Sequence, residues 1–396
     1  MNVNHMRTWA EINMDALAHN FEILKTTAKG KICAVIKADA YGHGAEALAL
    51  KYEKLGADFL AVSNIEEAIQ IRRKGVKLPV LILGYTPAAC AKTLADNNIS
   101  QCVYSLAYVR ELSAEAVKAG VTVKMHIKID TGMSRLGFFC QDIERDYSVS
   151  DEIAEACALP GLYPEGIFTH FAVSDEGEAG KAFTTQQFET FMDLIDDLES
   201  YDVTFEYHHC ANSAGIDDHK NTHLDMVRAG IILYGLEPSG AMRNVKDYHP
   251  VLSLKSVVSH VKTIPAGATV SYGRTFTADR DYHIATVPIG YADGYLRRFA
   301  ENGACMLLRG RRCPIIGRVC MDQLMIDLGD MKDVKIGEIV TVIGNDGDEC
   351  ITANELAELA GTINYEIICG IGARVPRIYM ENNKEVYVLD YICPEE

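Results

Sequence analysis

The residues best placed to do chemistry in this sequence sit where short apolar runs stop. Lys37 closes the run Ile32-Cys33-Ala34-Val35-Ile36 and is followed by Ala38-Asp39-Ala40-Tyr41-Gly42-His43-Gly44, a tight turn leading into a helical pattern. A lysine at a strand end is ordinarily solvated. Held in the partly desolvated mouth of a barrel, it can lose its proton and form a Schiff base with a carbonyl compound. Two other strand ends offer a different chemistry. Asn212-Ser213 follows His209-Cys210-Ala211, and Gly230-Ile231 follows Arg228-Ala229. The Ser213 hydroxyl and the N–H groups of Gly230 and Ile231 make a donor set suited to an oxyanion, and barrels often bind phosphate in the loops after their seventh and eighth strands. Arg135, His170 and Tyr272, each near a strand end, read individually as a surface arginine, a satisfied histidine and a core tyrosine.

These positions need elements to hold them. The segments Ile32–Lys37, Phe59–Ser63, Pro79–Leu83, Gln101–Ser105, Val121–Asp130, Gly166–Phe171, Phe205–Ala211 and Leu224–Arg228 read as eight strands. Helical patterns such as Ala45–Leu55 and Glu66–Lys74 separate most of them. Such alternation implies parallel strands with crossover helices, and eight units fit one (β/α)8 barrel. A doubly wound open sheet is the competing arrangement. The first strand–helix turn lacks the G-x-G-x-x-G spacing that would favour it. After Pro238 the texture changes to short β runs and turns, over Ser253–Val261, Ile284–Pro288, Arg312–Ile316, Leu324–Asp327 and Glu338–Ile343, with one helical stretch, Ala353–Ala360. The expected organisation is a barrel over residues 1–238 and a mainly β domain over 239–396, joined through Ser239–Tyr248.

Bulk properties narrow the function classes. The 396 residues carry 48% hydrophobic content, enough for a large core, and a formal net charge of −17. An acidic surface repels phosphate backbones and anionic lipid, so nucleic acid and membrane surfaces are poor partners. The 12 cysteines include no C-x-x-C pair, which gives no support to a zinc ribbon, and a chain of this size needs no disulfide staples. A cytoplasmic setting with reduced thiols is expected, with no metal. No apolar run reaches membrane-spanning length, and Met1–Met6 is polar, without the apolar core of a secretory signal.

Longer motifs add a resemblance. Arg7-Thr8-Trp9-Ala10-Glu11-Ile12-Asn13, Ala34-Val35-Ile36-Lys37-Ala38-Asp39-Ala40-Tyr41-Gly42-His43-Gly44 and Lys128-Ile129-Asp130-Thr131-Gly132-Met133-Ser134-Arg135-Leu136-Gly137 resemble the alanine racemase family, and the similarity runs through nearly the whole chain. The resemblance implies a barrel followed by a β domain, with pyridoxal 5'-phosphate attached to Lys37. It implies that Tyr41, Asn212, Ser213, Gly230 and Ile231 surround the cofactor phosphate. Arg135 would lie by the phenolic oxygen and the substrate carboxylate, steadied by a carbamylated Lys128, and Arg228 by the ring nitrogen. An arginine there is a donor only, so the ring stays unprotonated and the carbanion short-lived, which suits racemisation. Lys37 and Tyr272 would be the two bases on opposite faces of Cα, with His170 in a hydrogen-bond chain behind Tyr272. A free tyrosine titrates near pH ~10 and needs tuning for this task. Tyr272, Tyr291 and Met321, with Cys320 and Asp322 beside it, would complete the site of a partner copy, giving a homodimer with composite sites.

One position departs from the family. In Cys369-Gly370-Ile371-Gly372-Ala373-Arg374, Ala373 stands where typical members carry a tyrosine that crowds the substrate side chain. Room beside the β-carbon predicts alanine racemisation with relaxed specificity that includes serine. A dedicated serine racemase of the glycopeptide-resistance type is an alternative, and in those relatives the module is fused to a membrane segment. A decarboxylase on the same barrel is less favoured, because its glycine triplet does not occur in this sequence. A non-enzymatic cofactor carrier is less favoured too, since carriers resemble the barrel alone. Supply of D-amino acids for the cell wall is the role the family suggests.

Overall fold

A computed structural model describes residues 7–393; Met1–Met6, read above as lacking a signal segment, lie outside the described residues. In chain order the strands begin with β1 (Thr8–Asn13), β2 (Lys31–Val35), β3 (Phe59–Val62), β4 (Val80–Ile82), β5 (Ile99–Val103) and β6 (Val123–Asp130). They continue with the two-residue β7 (Phe138–Phe139), β8 (Leu162–Phe168), β9 (Tyr207–His209) and β10 (Met226–Ala229). The chain divides into two compact units. One holds Ala18–Ala40 and Ala45–His249; the other holds the described part of Met1–Leu17, Tyr41–Gly44 and the described part of Pro250–Glu396.

The first unit is a barrel. Its strands run in the order β10-β2-β3-β4-β5-β6-β8-β9, every ladder parallel, with β7 added beside β6. Backbone bonds from Asp225 N to His208 O (3.1 Å) and from Arg228 N to Ala211 O (2.9 Å) bring β9 and β10 together and close the ring. The strands are short and apolar on both faces, as β3 (FLAV) and β4 (VLI) show, because helices cover the outside and side chains fill the inside. Local chemistry sets the helix ends. Asn64 and Ser105 cap the helices Ile65–Arg73 and Leu106–Ala119 by accepting from Glu67 N and Tyr108 N, and Gly120 ends the second in a left-handed conformation at φ 65°. This matches the barrel and crossover helices read from the sequence.

The second unit adds β11 (Leu252–Val257), β12 (His260–Ile264), the paired β13 (Thr269–Val270) and β14 (Phe276–Thr277), β15 (Tyr282–Val287), β16 (Cys305–Leu308) and β17 (Arg311–Ile316). It ends with β18 (Leu324–Asp327), β19 (Ile339–Asp346), β20 (Glu349–Ile351), β21 (Arg377–Glu381) and β22 (Lys384–Leu389). The main sheet runs β12-β15-β18-β17-β16-β19-β11-β1-β21-β22. β1 therefore belongs to this sheet, antiparallel to β11 and parallel to β21. The single strand expected over Ser253–Val261 is two. At Val258 and Ser259 the backbone changes partners, bonding Glu338 O and Thr286 O, so β11 pairs with β19 and β12 with β15. All 12 cysteines are free, and among the described residues no helix is long and apolar enough to cross a membrane.

Candidate active site

The turn after β2 has an unusual backbone. Ile36 still donates to Ala61 O (2.8 Å), and then Ala38, Asp39, Ala40 and Tyr41 take φ of 52°, 55°, 52° and 53° inside the short helix Lys37–Gly42. A left-handed turn costs L-residues about 1–2 kcal/mol each, so it persists only where its surroundings dictate it. In the barrel unit Glu67 supplies one clamp, accepting from Ala38 N and Ser63 N (2.7 Å each), and Asp39 another, accepting from Ala45 N (2.8 Å). In the β unit Arg377 and Tyr379 donate to Gly42 O (3.0 Å) and His43 O (2.9 Å). Lys37 thus leaves its strand on a backbone held on both sides of the turn.

Four of the singled-out side chains bear on His170. Its imidazole is held neutral, well below the usual histidine range, by burial and then by the positive charges of Arg228, Lys128, Arg135 and Lys37. Arg228, on β10, is buried, and its Nη1 and Nη2 groups donate to His209 Nδ1 (2.9 Å), His209 O (3.1 Å), Thr169 O (2.7 Å), Cys210 O (3.1 Å) and His170 Nδ1 (3.2 Å). Burial brings its own pKa down to about 10. Lys128, two residues beyond His126 on the same face of β6, is buried under the same end, with Nζ 4.8 Å from the Phe168 ring centroid. Burial, then Arg228, lower its pKa to about 7, and its Nζ has no hydrogen-bond partner. Asp130, close by, is engaged by Gly132 N (3.1 Å) and Ser134 N (2.8 Å).

On the other side of β10, Ser213 Oγ accepts from Gly230 N (3.0 Å), which joins two of the expected phosphate contacts. Ile231 follows Gly230 and opens a 3-10 turn. Asn212 is the cap of the helix Ser213–Asp218, its Oδ1 accepting from Gly215 N and Ser174 Oγ (2.9 Å each).

The remaining candidates are in the β unit. Tyr41 is buried, its phenol pushed up by burial, with its ring 6.0 Å from that of Tyr365. Tyr272 stands in a 3-10 turn between Ser271 (φ 67°) and Gly273 (φ 72°) and is 69% exposed. With Ser271, Cys320, Met321, Asp322 and Gln323 it lines an open cleft. Ser271 Oγ ties the cleft together by donating to Arg318 O (2.6 Å). Tyr291 and Ala292 donate to Cys320 O and Met321 O (3.1 Å each), so the Tyr291 loop is fastened to the same cleft wall. Asp293, fully buried, accepts from Arg7 and from Gly290 N (3.0 Å). Its carbonyl accepts from Gly372 N (3.1 Å), which draws the exposed Ala373 loop to the same place. Arg374 pairs with Asp322 (2.8 Å). Asp293 and the buried pair His126–Glu165 were not singled out by sequence reasoning. Pro164 just before Glu165, an imino acid inside a strand, was the available signal for the second.

Comparison with known proteins gives matches over nearly the whole chain. Residues 12–238 match the family described as alanine racemase, N-terminal domain, and residues 251–379 the family described as alanine racemase, C-terminal domain. An alanine racemase of Clostridium tetani is 42% identical over 391 residues, 98% of this chain and 99% of that protein. One of Methanococcus maripaludis is 42% identical over 375 residues, 94% of this chain and 98% of its own. Among solved structures, alanine racemase of Clostridium difficile 630 superposes with a TM-score of 0.92 at 40% identity, covering 98% of this chain and all of that one. The alanine racemase of Bacillus anthracis with bound L-Ala-P gives 0.91 at 38% identity, with 98% of each chain covered.

Proposed function

The chain belongs to the alanine racemase family, and from that premise we propose how its own residues divide the work. The protein is an isomerase that interconverts L- and D-alanine and depends on pyridoxal 5'-phosphate. The barrel end fits such a group. It gathers the basic groups of Arg228, Lys128, Arg135 and Lys37 around one neutral imidazole and leaves the buried Lys128 Nζ without a hydrogen-bond partner, an environment that calls for an anion. That cationic cluster is the observation that carries the reading. Lys37 would anchor the cofactor covalently, Ser213 with Gly230, Ile231, Asn212 and Tyr41 would hold its phosphate, and Arg135 and His170 would flank it. Arg228 would address the ring nitrogen as a donor that cannot take up a proton.

When bound, the cofactor withdraws electrons from the substrate Cα and so eases loss of its hydrogen as a proton. Lys37 takes or returns that proton on one face and Tyr272 on the other. Binding both hands needs two bases, because a single base returns the proton to the face it came from. Tyr272 and Met321 are exposed and line one cleft of the β unit, and the exposed Tyr291 is bonded to Cys320 O of its wall, which supports a role for them in the site of a second copy. The neutral Lys128 amine is a nucleophile for carbon dioxide: a C–N bond forms, a proton leaves, and the carbamate anion satisfies the buried site beside Arg135 and Arg228. The small, exposed Ala373 supports a second, additive reading, tolerance of serine. The test is racemisation of L- and D-alanine and of L-serine by the cofactor-loaded protein, with kcat/KM for each. Turnover of neither alanine enantiomer would refute the assignment. Alanine turnover with none of serine would remove only the Ala373 reading.

A further inference from the structure

The barrel interior contains a buried chain of polar groups that reaches Arg228 from the far side. Lys124 Nζ donates to Glu165 Oε1 (2.7 Å), and Ser100 donates to Glu165 Oε2. His126 Nε2 meets Glu165 Oε2 at 3.1 Å, His126 Nδ1 meets His209 Nε2 at 2.9 Å, and His209 Nδ1 meets Arg228 at 2.9 Å. Glu165, His126, His209 and Arg228 are all buried.

The fold is arranged to make this chain. In the ladder between β6 and β8, Met125 faces Pro164 and His126 faces Gly166, so Glu165 is an extra, bulged residue. Phe168 and Gly166 point inward: the Phe168 ring stacks on His209 with centroids 4.7 Å apart, and a Cβ on Gly166 would lie 2.5 Å from His126 Nδ1. Regular alternation would turn position 165 outward toward the helices, and the bulge turns it in. The glycine at 166 then leaves room for the His126 ring.

Proton bookkeeping allows the chain one arrangement. A carboxylate only accepts and a guanidinium only donates. Accepting from His126 places that residue's hydrogen on Nε2 and leaves Nδ1 as a lone pair. His209 must therefore carry its hydrogen on Nε2, which leaves Nδ1 to accept from Arg228. Each imidazole holds one proton and every N–H points from Arg228 toward Glu165. Burial lowers the pKa of both histidines, as this arrangement requires. Burial alone would raise that of Glu165, and hydrogen bonds from His126, Lys124 and Ser100 outweigh it and hold it at about 2.

We propose that Glu165 is a positioning residue for the racemase reaction: through His126 and His209 it fixes both imidazole tautomers, so that Arg228 keeps an acceptor behind it and faces the cofactor ring as a fixed donor. The inference rests on the assignment of Arg228 to the cofactor ring. Without the acceptor at 165, the buried His126 Nε2–H has nothing to donate to, and moving that proton to Nδ1, where it donates to His209 Nε2, relieves it. His209 then carries its proton on Nδ1, directly against an Arg228 N–H.

The test uses holoenzyme selectively labelled with 15N-histidine, in which protonated and lone-pair ring nitrogens have separate shifts. Both His126 and His209 are expected as neutral Nε2–H tautomers; an Nδ1–H form of either overturns the proposal, whatever the variants do. E165L is expected to switch both tautomers, weaken cofactor binding and lower kcat on the order of tenfold to a hundredfold with KM little changed. E165Q keeps an acceptor oxygen toward His126 and is expected to restore the wild-type tautomers and most of kcat. A folded E165L with wild-type tautomers and kcat overturns the proposal. An E165L that fails to fold leaves the decision to the wild-type shifts and to E165Q. Failure of alanine turnover in the wild-type protein would instead strike the functional assignment, leaving the tautomer shifts as they are.

Discussion

The barrel end and the β-unit cleft each hold one of the two proposed bases, and they are built in opposite ways. Around Lys37, Arg228 and Lys128 are buried: Arg228 makes five hydrogen bonds, Lys128 is pushed down to about 7, and the lysine's own turn is forced left-handed. Around Tyr272 the groups are exposed, with the phenol 69% accessible and Met321 52% accessible on the same wall. The contrast shows where preorganisation comes from. The barrel end is positioned by its own folding, so a change there costs stability as well as activity. The cleft is positioned by covalent geometry and loop bonds alone, so a change there costs activity only.

Substitutions that separate those two costs test the contrast. Lys37→Ala should show the largest loss, roughly 10⁴-fold or more in kcat with disappearance of the cofactor's visible absorbance. Tyr272→Phe should lower turnover by about 10²–10⁴-fold in steady-state assays, while thermal melting stays at the wild-type Tm because the side chain is exposed. A lowered Tm in that variant would break the contrast. Gly166→Ala should do the reverse, destabilising the barrel by about 1–3 kcal/mol in denaturant unfolding, since its Cβ collides with His126. Ala373→Tyr should shift the serine-to-alanine ratio of kcat/KM toward alanine by about 1–3 kcal/mol with Tm unchanged.

A further effect concerns pH. Unmodified Lys128 has its pKa lowered from 10.5 to about 7, so between those values the unfolded chain holds a proton that the folded chain lacks. Stability therefore rises with pH across that window, and below about 7 the gain is absent. In carbon-dioxide-free buffer, Lys128→Met should flatten this rise in Tm. Added bicarbonate should raise the mass of the wild type by one carbon dioxide and leave the variant unchanged.

How much of this was legible in the sequence follows from what each signal depends on. The eight barrel strands could be read because parallel strands buried on both faces are short continuous apolar runs, and the long motifs marked Lys37 and Arg135. The left-handed turn could not be read, since Ala38, Asp39, Ala40 and Tyr41 carry no glycine to announce positive φ; distant partners such as Glu67 and Arg377 impose it. β1 was visible as a family motif but not as a strand of the β unit, because its partners Leu252–Ser256 and Arg377–Met380 lie hundreds of residues away. β16, β21 and β22 escaped for the same reason, their pairing being set by the sheet rather than by local pattern. The inward turn of Glu165 depends on a one-residue bulge, which periodicity cannot locate.

The central claim is that each site takes Lys37 from the barrel of one copy and Tyr272 from the β unit of another. Lys37→Ala and Tyr272→Phe, each inactive alone, should be mixed, exchanged into heterodimers and assayed for alanine racemisation. One of the two sites in each heterodimer would then have both bases intact, so random exchange should restore about one quarter of wild-type activity. No recovery in a mixture shown to contain heterodimers would place both bases in one chain and contradict the account.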